Sequence, residues 1–520
     1  MTLTSGKAPR IGLVEVPTLG LYDPNGKNWT PMFKRNPLLS KQVLLAHLQA
    51  GGFDAQMVNL KDGDYEEEFG QVAWKGSTLR KVYSGKRIWD ISPDAYDAWG
   101  VTANFMQERQ IACMVIKHLA STGKPVVVGG SDAIAEPKPY FEAGATVVVL
   151  DKSGTANWAI FDYVVGNTPR EELNGVLFPD GTKYRKRNPA LNPQNWPLPS
   201  LEVARQCFGT EYSGERFLEE LLPIGSIFSD IGCDRTCDFC QTPTYGTGYR
   251  RMTPQRALEW LQIQKDAGAK STVMVADQFL GRILFPGGRE EILEITRGAR
   301  EMGMPLLWPN GLELRKATLG RGRSYENTDL TPDEELVEAL WGWDGKVGGF
   351  LGYVPAERPV VGKQPYAKIL PWQQHCNMLR SIVRAGLPVL VYGVIVGLAQ
   401  DSHEELLYLE ESILELRQDL KSINPDLEFQ VASYSISPIP GTPQWDYLTK
   451  SGLLRIEDPS VVGEFWTASC DTHHMSYEEV SDWQVRLAEI GKDDSKLLNY
   501  HGGLTVVSKG DVEETVVQQS

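Results

Sequence analysis

Twice along this chain, short apolar runs of strand length alternate with stretches of helical periodicity, and that rhythm leaves few folds open. The first alternation starts at Arg10–Val16, an apolar strand that Pro17 and Gly20 are expected to end. Leu38–Ala50 then carries apolar residues at helical spacing and stops at Gly51-Gly52. Phe53–Leu60, Ala98–Ala103, Pro125–Val128 and Ala145–Leu150 read as further strands, with helices at Gln107–Ser121 and Pro137–Ala143. A second alternation runs through Ile224–Ser229, Ser271–Ala276, Pro305–Trp308, Gly348–Tyr353, Pro388–Val396 and Phe429–Ser435. Its helices open at Thr253-Pro254, with Thr as the cap and Pro in the first turn, and continue at Arg289–Met302, Leu336–Trp343, Trp372–Ala385 and Ser402–Leu420. Thr331 with Glu334, and Ser402 with Glu405, have capping-box spacing. Strands alternating with helices predict mostly parallel sheets covered on both faces, which bind ligands at their strands' carboxyl ends.

Between the two alternations, residues 168–222 read as a connector, where Pro179, Pro189, Pro193, Pro197 and Pro199 interrupt any period. After the second, a helix is expected over Tyr477–Gly491, and the polar residues from His501 onward are expected to be disordered. The predicted division is therefore 1–167, 168–222, 223–450 and 451–520.

Directly after the strand at Ile227–Ile231 comes Cys-Asp-Arg-Thr-Cys-Asp-Phe-Cys, placing Cys233, Cys237 and Cys240 in one loop. This C-x3-C-x2-C spacing supplies three thiolates and no nearby fourth. A [4Fe–4S] cluster held that way keeps one iron without a protein ligand, which leaves a position for chemistry. Structural zinc takes four ligands, commonly as two pairs. Here no histidine lies between His118 and His375, and Cys113, Cys207, Cys376 and Cys470 stand singly, so a zinc site would need a distant fourth ligand. The spacing favours the cluster.

Composition narrows the partners. A formal charge of −15 argues against a surface that tracks nucleic-acid phosphates. No run of 18 apolar residues occurs, so no membrane span is expected. The start, Met-Thr-Leu-Thr-Ser-Gly-Lys, has no apolar signal core, and a cytoplasmic location is expected. Seven cysteines among 520 residues suggest no disulfide framework.

The cysteine loop resembles the signature of the radical S-adenosylmethionine (SAM) superfamily. The segment ahead of it resembles the cobalamin-binding domain that precedes many such cores, on three runs: Trp99-Gly100-Val101-Thr102, Val127-Val128-Gly129-Gly130-Ser131 and Val148-Val149-Leu150-Asp151-Lys152-Ser153-Gly154. Tyr434-Ser435-Ile436-Ser437-Pro438-Ile439-Pro440-Gly441-Thr442-Pro443 resembles the Pro-Gly-Thr segment closing the core in these relatives. The resemblance covers roughly residues 8–450 and implies an α/β architecture. A Rossmann-like cobalamin-binding-type domain is followed by a partial (β/α)6 barrel and a small C-terminal region. Residues 17–37 hold no histidine and no Asp-x-His-x-x-Gly, so cobalamin is expected base-off without a histidine ligand.

By resemblance, SAM's amino and carboxylate groups take the open iron, and Phe239 and Ile395 pack beside its adenine. Asp277 and Gln278, after the second barrel strand, face the site. Glu313 and Arg315, after the third, contact ribose and carboxylate, an arginine fork suiting the latter. The glutamate that relatives often carry on the fourth strand is replaced, since this chain reads Gly352-Tyr353-Val354-Pro355. Thr102, Gly129, Gly130 and Ser131 are the candidate cobalamin contacts. Tyr245, Tyr249 and Arg250 are placed to line the mouth, and His473-His474 with Cys470 and Asp471 to form surface or cavity wall.

The resemblance implies a cobalamin-dependent radical SAM C-methyltransferase, acting on an unactivated carbon of a small molecule or peptide through a 5′-deoxyadenosyl radical. It also implies an external one-electron reductant such as flavodoxin or ferredoxin. Two rivals stay open: cyclisation, ring rearrangement or oxidation on the same fold without methyl transfer, and an iron–sulfur electron-transfer or binding module.

Overall fold

A computed structural model describes residues 8–30, 36–151, 157–184, 192–210, 219–320, 329–359 and 368–494. Its first sheet contains β1 (Arg10–Glu15), β3 (Asp54–Asn59), β6 (Ala98–Thr102), β7 (Val126–Gly129), β8 (Val147–Val149), β9 (Val176–Leu177) and β10 (Lys183–Tyr184). The spatial order is β10-β9-β8-β7-β6-β1-β3, parallel from β8 to β3 and antiparallel at β9 and β10. Strand order reverses between β1 and β6, which opens a crevice outside their carboxyl ends where such sheets take ligands. The near-continuous apolar strands, such as Val126-Val127-Val128, are buried because helices cover both faces.

A three-stranded antiparallel sheet stands beside it, ordered β2 (Thr18–Tyr22), β5 (Ser77–Gly85), β4 (Tyr65–Trp74). Gly20 lies inside β2, a strand not expected from the sequence. Pro17 ends β1, and the chain then enters a different sheet. The β4–β5 hairpin packs onto the C-terminal region, where Trp74 Nε1 donates to the Ala468 carbonyl at 2.8 Å.

The third sheet runs β12 (Arg250–Arg251), β11 (Ile224–Ile231), β13 (Ser271–Ala276), β14 (Leu306–Trp308), β15 (Gly349–Glu357), β16 (Val389–Val396), β17 (Glu428–Ser435). Six of these strands are parallel and follow chain order, and β11 and β17 do not pair, so the barrel is partial. Helices Pro254–Ala267, Gly288–Glu301, Glu334–Trp341, Trp372–Arg384 and His403–Ile423 cover the outside. Thr253 caps the first, and Ser402 with Glu405 forms the expected capping box of the last. At Glu334–Trp341 the cap is Asp333, whose side chain accepts from Leu336 N, and not Thr331. Asp333 also takes both arms of Arg289, at 2.8 and 2.9 Å, which fixes the helix start two residues later than a Thr331 cap would place it.

Inside the barrel, Ile224, Val273, Leu307, Leu351, Val389, Val391 and Ala432 form an apolar plug, with Tyr353 and Tyr434 above it. No helix among the described residues is long and apolar enough to cross a membrane. Lys152, Ser153, Gly154 and the tail from His501 lie outside the described residues.

Candidate functional site

The cysteine loop leaves the carboxyl end of β11 through Gly232, whose φ is +80°. A Cβ there would stand 1.8 Å from the Gly248 carbonyl oxygen, so only glycine makes the exit. Its N–H donates to Asp277 Oδ2 at 2.7 Å, tying the loop to the end of β13. Cys233, Cys237 and Cys240 are half-buried free thiols. The Arg235 N–H donates to Cys233 Sγ at 3.4 Å. Burial pushes the Cys237 thiol up to about 12; Lys368 opposes this, and Glu357, Cys240 and Cys233 add to it. The three sulfurs are thus electrostatic neighbours. Among the described residues no three His, Cys, Asp or Glu side chains gather as the ligands of a single ion would. Three cysteines in one loop are one fewer than the four ligands that structural zinc takes.

Buried charges hold the loop in place. Arg235 reaches Glu313 with Nε at 3.2 Å and also with Nη2. Gln278 Nε2 donates to the same carboxylate at 3.0 Å, and Lys316 Nζ lies 3.0 Å from it while also pairing with Asp234. Lys368 pairs with Glu357 at 2.5 Å and stands 5.8 Å from the Phe239 ring centre. On the far side, Gln444 N donates to the Asp238 carbonyl at 3.1 Å, and Gln241 Nε2 to that of Pro440 at 3.3 Å.

The sequence candidates therefore divide. Phe239 and Ile395 share one apolar cluster with Leu398, Ala399, Ile436 and Leu448. Asp277 and Gln278 brace the loop through Gly232 and Glu313. Glu313 is 4% exposed, with both oxygens engaged by the loop and its neighbours. Arg315 is half-buried and has no side-chain partner among the described residues. Arg235, Lys316 and Lys368 were not singled out in the sequence; only Lys316, three residues after Glu313, gives a local hint of pairing. Arg358 was missed too. Its Nε donates to the Ile395 carbonyl at 2.9 Å, and it pairs with Asp401, which accepts from the N–H groups of Gly397 and Leu398.

In the first sheet, Thr102 pairs in register with Gly129. Gly130 has φ +111°, and a Cβ there would fall 2.3 Å from the Ala103 carbonyl oxygen. Ser131 opens the helix Ser131–Ala135, and its N–H donates to Asn104 Oδ1 at 3.4 Å. Thr102, Gly129, Gly130 and Ser131 thus gather at the carboxyl ends of β6 and β7, beside the crevice. Ion pairs line that crevice: Glu15 accepts from Lys41 at 2.7 Å and Lys61 at 2.9 Å, and Lys61 lies 3.5 Å from Glu108. Burial raises the Glu15 carboxyl, but the two lysines prevail and hold it at about 2. Among the described residues, Gln107 Nε2 and Glu464 Oε2 are buried there without a hydrogen-bond partner. These unsatisfied groups suit a large polar ligand or ordered water.

The remaining candidates lie apart from these loops or support them. His473 Nε2 meets the Tyr447 hydroxyl at 2.9 Å, Asp471 pairs with Arg455, and Cys470 is buried in the cluster around Ile436. The Tyr249 hydroxyl donates to Asp230 Oδ1 at 2.6 Å, and Asp230 in turn pairs with the fully buried Arg282. Arg250 forms part of β12.

No family model matches the chain, and no curated protein does. Solved structures do. The cobalamin-dependent S-adenosylmethionine radical enzyme OxsB, with aqua-cobalamin and S-adenosylmethionine bound, is 14% identical with a TM-score of 0.60, over 92% of this chain and 66% of its own. The radical S-adenosylmethionine methyltransferase TsrM from Kitasatospora setae, with cobalamin and a [4Fe–4S] cluster bound, is 12% identical with a TM-score of 0.62, over 96% and 92%. TsrM with tryptophan substrate and a SAM analogue bound gives 13% and 0.56, over 86% and 78%. This chain thus spans just under two thirds of OxsB and most of TsrM. At these identities the likeness is one of fold: an α/β first sheet joined to a partial barrel.

Proposed function

We propose that this chain is a cobalamin-dependent radical SAM enzyme, a C-methyltransferase acting on an unactivated carbon of a small molecule or peptide. One observation carries the reading. A loop of three thiols leaves the first barrel strand and is braced from β13, β14 and β15, next to a second sheet whose glycine turn borders a polar crevice. When bound, the cluster would supply an electron to SAM, and the corrinoid a methyl group.

The protein's own part is to hold and to shield. Cys233, Cys237 and Cys240 would hold the cluster. Arg315, unpaired among the described residues, offers a fork for SAM's carboxylate, and Phe239 and Ile395 an apolar wall for its adenine. Thr102, Gly129, Gly130 and Ser131 would cradle a base-off corrinoid. Tyr353, Tyr434, Phe465 and Trp466 stand ring against ring over the apolar plug and would keep water from the reacting carbon. An external one-electron reductant, a cytoplasmic setting and no nucleic-acid partner complete the proposal.

The test is anaerobic reconstitution, followed by iron, sulfide and corrinoid counts and product analysis with SAM. Methyl transfer yields S-adenosylhomocysteine alongside methylated product. Cleavage of SAM with bound corrinoid but no methylated product would favour rearrangement or oxidation. A zinc-filled thiol site, or a cluster with four protein sulfurs, would overturn the proposal.

A further inference from the structure

Above the apolar plug, the inward face of the barrel changes character. Side chains alternate along a strand, so Val275, Tyr353 and Tyr434 continue the face that carries Val273, Leu351 and Ala432. On β16 the same face runs Val391, Gly393, Ile395, and Ile395 stands in register with Tyr434. Val275, Ile395 and Tyr434 are each the one residue of their strand that is not buried, and Tyr353 is one of two on β15. The inward face therefore opens at this level.

Rings furnish the opening. Tyr353 lies across Gly393, where a Cβ would fall 1.9 Å from the Tyr353 hydroxyl oxygen, so a glycine is what lets the ring extend. Tyr353 and Tyr434 stand 6.3 Å apart between ring centres, at 55°. From the C-terminal region, Phe465 meets Tyr434 edge to face at 5.7 Å, and Trp466 meets it at 5.1 Å. The Phe465 carbonyl accepts from Ser435 N at 2.9 Å, Ser435 Oγ at 3.1 Å and Gln484 Nε2 at 2.6 Å. Its N–H donates to Glu464 Oε1 at 3.0 Å. The backbone is thus pinned while the ring stays 38% exposed. Two residues earlier, a Cβ on Gly463 would stand 2.5 Å from Gln107 N, so this segment runs from the crevice of the first sheet to the barrel mouth.

We propose that Tyr353, Tyr434, Phe465 and Trp466 form a specificity site for a flat aromatic ring carried by the enzyme's substrate. The inference rests on the proposed function and deepens it by naming the substrate class. An aromatic guest gains ring contacts that a puckered group of the same size lacks, worth roughly two- to tenfold in affinity beyond burial. The four rings touch one another edge-on or tilted, which leaves ring surface for a guest but no walled cage of the kind that takes an ammonium cation.

The test is calorimetric titration of the reconstituted full chain with benzyl alcohol and with cyclohexylmethanol, which share a carbon skeleton but are flat and puckered. Wild type should prefer the aromatic probe by roughly two- to tenfold. Phe465→Leu, which keeps an apolar side chain, should weaken benzyl alcohol by that factor and leave cyclohexylmethanol unchanged. Phe465→Tyr keeps the ring and should match wild type for both probes. Iron content and melting temperature should hold in both variants, which separates lost recognition from lost structure. Equal affinities in wild type, no binding of either probe, or a preference that survives Phe465→Leu overturns the aromatic site. Uptake of tetramethylammonium in place of both probes overturns it too. Iron, sulfide and SAM cleavage are counted on the same sample: if they hold while the preference is missing, the aromatic site alone fails. A preference shown by a chain that assembles no cluster overturns the proposed function and leaves the rings a binding site.

Discussion

Arg235, inside the cysteine loop, and Glu313, after β14, meet in a two-point contact across 78 residues of sequence. Lys316 and Gln278 complete the arrangement, leaving Glu313 a structural anchor in this state. Removing a buried carboxylate would strand the fully buried Lys316 and loosen Arg235. Glu313→Ala should cost about 3–5 kcal/mol, read by denaturant unfolding, and should lower the iron retained per chain. Glu313→Gln should do less, because it still accepts hydrogen bonds. If Glu313→Ala kept its stability and iron but lost SAM affinity, the residue would be a SAM contact and not an anchor.

Each of Cys233→Ala, Cys237→Ala and Cys240→Ala should abolish cluster assembly, measured as iron and sulfide per chain after anaerobic reconstitution. Cys207, Cys376 and Cys470 are buried, and Cys113 is half-buried on the helix Arg109–Leu119. Serine at any of these four should leave iron content intact. Iron loss in one of them would identify a fourth protein ligand and close the open corner.

Periodicity carried most of the fold. The barrel strands lie within a few residues of their expected ends because their apolar runs are buried on both faces and bounded by loops. The β4–β5 hairpin escaped notice because its strands carry Glu66, Glu68 and Arg80 toward solvent and only scattered apolar partners. Its turn is Lys75-Gly76, both at positive φ, an uncommon place for a lysine. The cysteine loop was legible because its three cysteines are local. The anchors Arg235, Lys316, Lys368 and Arg358 were not, since Arg235, Lys316 and Arg358 find partners far along the chain and Lys368 pairs back with Glu357, and spacing does not report such pairings.

Gly130→Ala tests the glycine turn. The backbone at φ +111° is strained for any residue with a Cβ, and the added methyl would meet the Ala103 carbonyl at 2.3 Å. Strain of this kind costs about 1–3 kcal/mol before the clash is counted. The variant should melt lower than wild type and bind aquacobalamin more weakly, while keeping its iron. Unchanged corrinoid affinity in a destabilised Gly130→Ala would remove this turn from the binding site.

Glu464 links the C-terminal region to the crevice and should give the protein a pH dependence. It is 1% exposed and sits beside the turn Met106–Glu108. Burial pushes its carboxyl up to about 8, with Glu108 adding to the effect and the N–H groups of Phe465 and Trp466 opposing it. Lys61 stands 3.5 Å from Glu108, with Glu15 and Lys41 behind it, and Lys81 pairs with Asp458 on the C-terminal side at 2.8 Å. The folded chain therefore keeps a proton that the unfolded chain releases near 4.5. The associated stability is complete below that pH and is lost as pH rises through about 8, with a slope of at most about 1.4 kcal/mol per pH unit. Glu464→Gln, neutral at every pH, should flatten that decline and be the more stable protein at the alkaline end. Denaturant unfolding across this range measures both profiles, and parallel declines in wild type and variant would place the proton elsewhere.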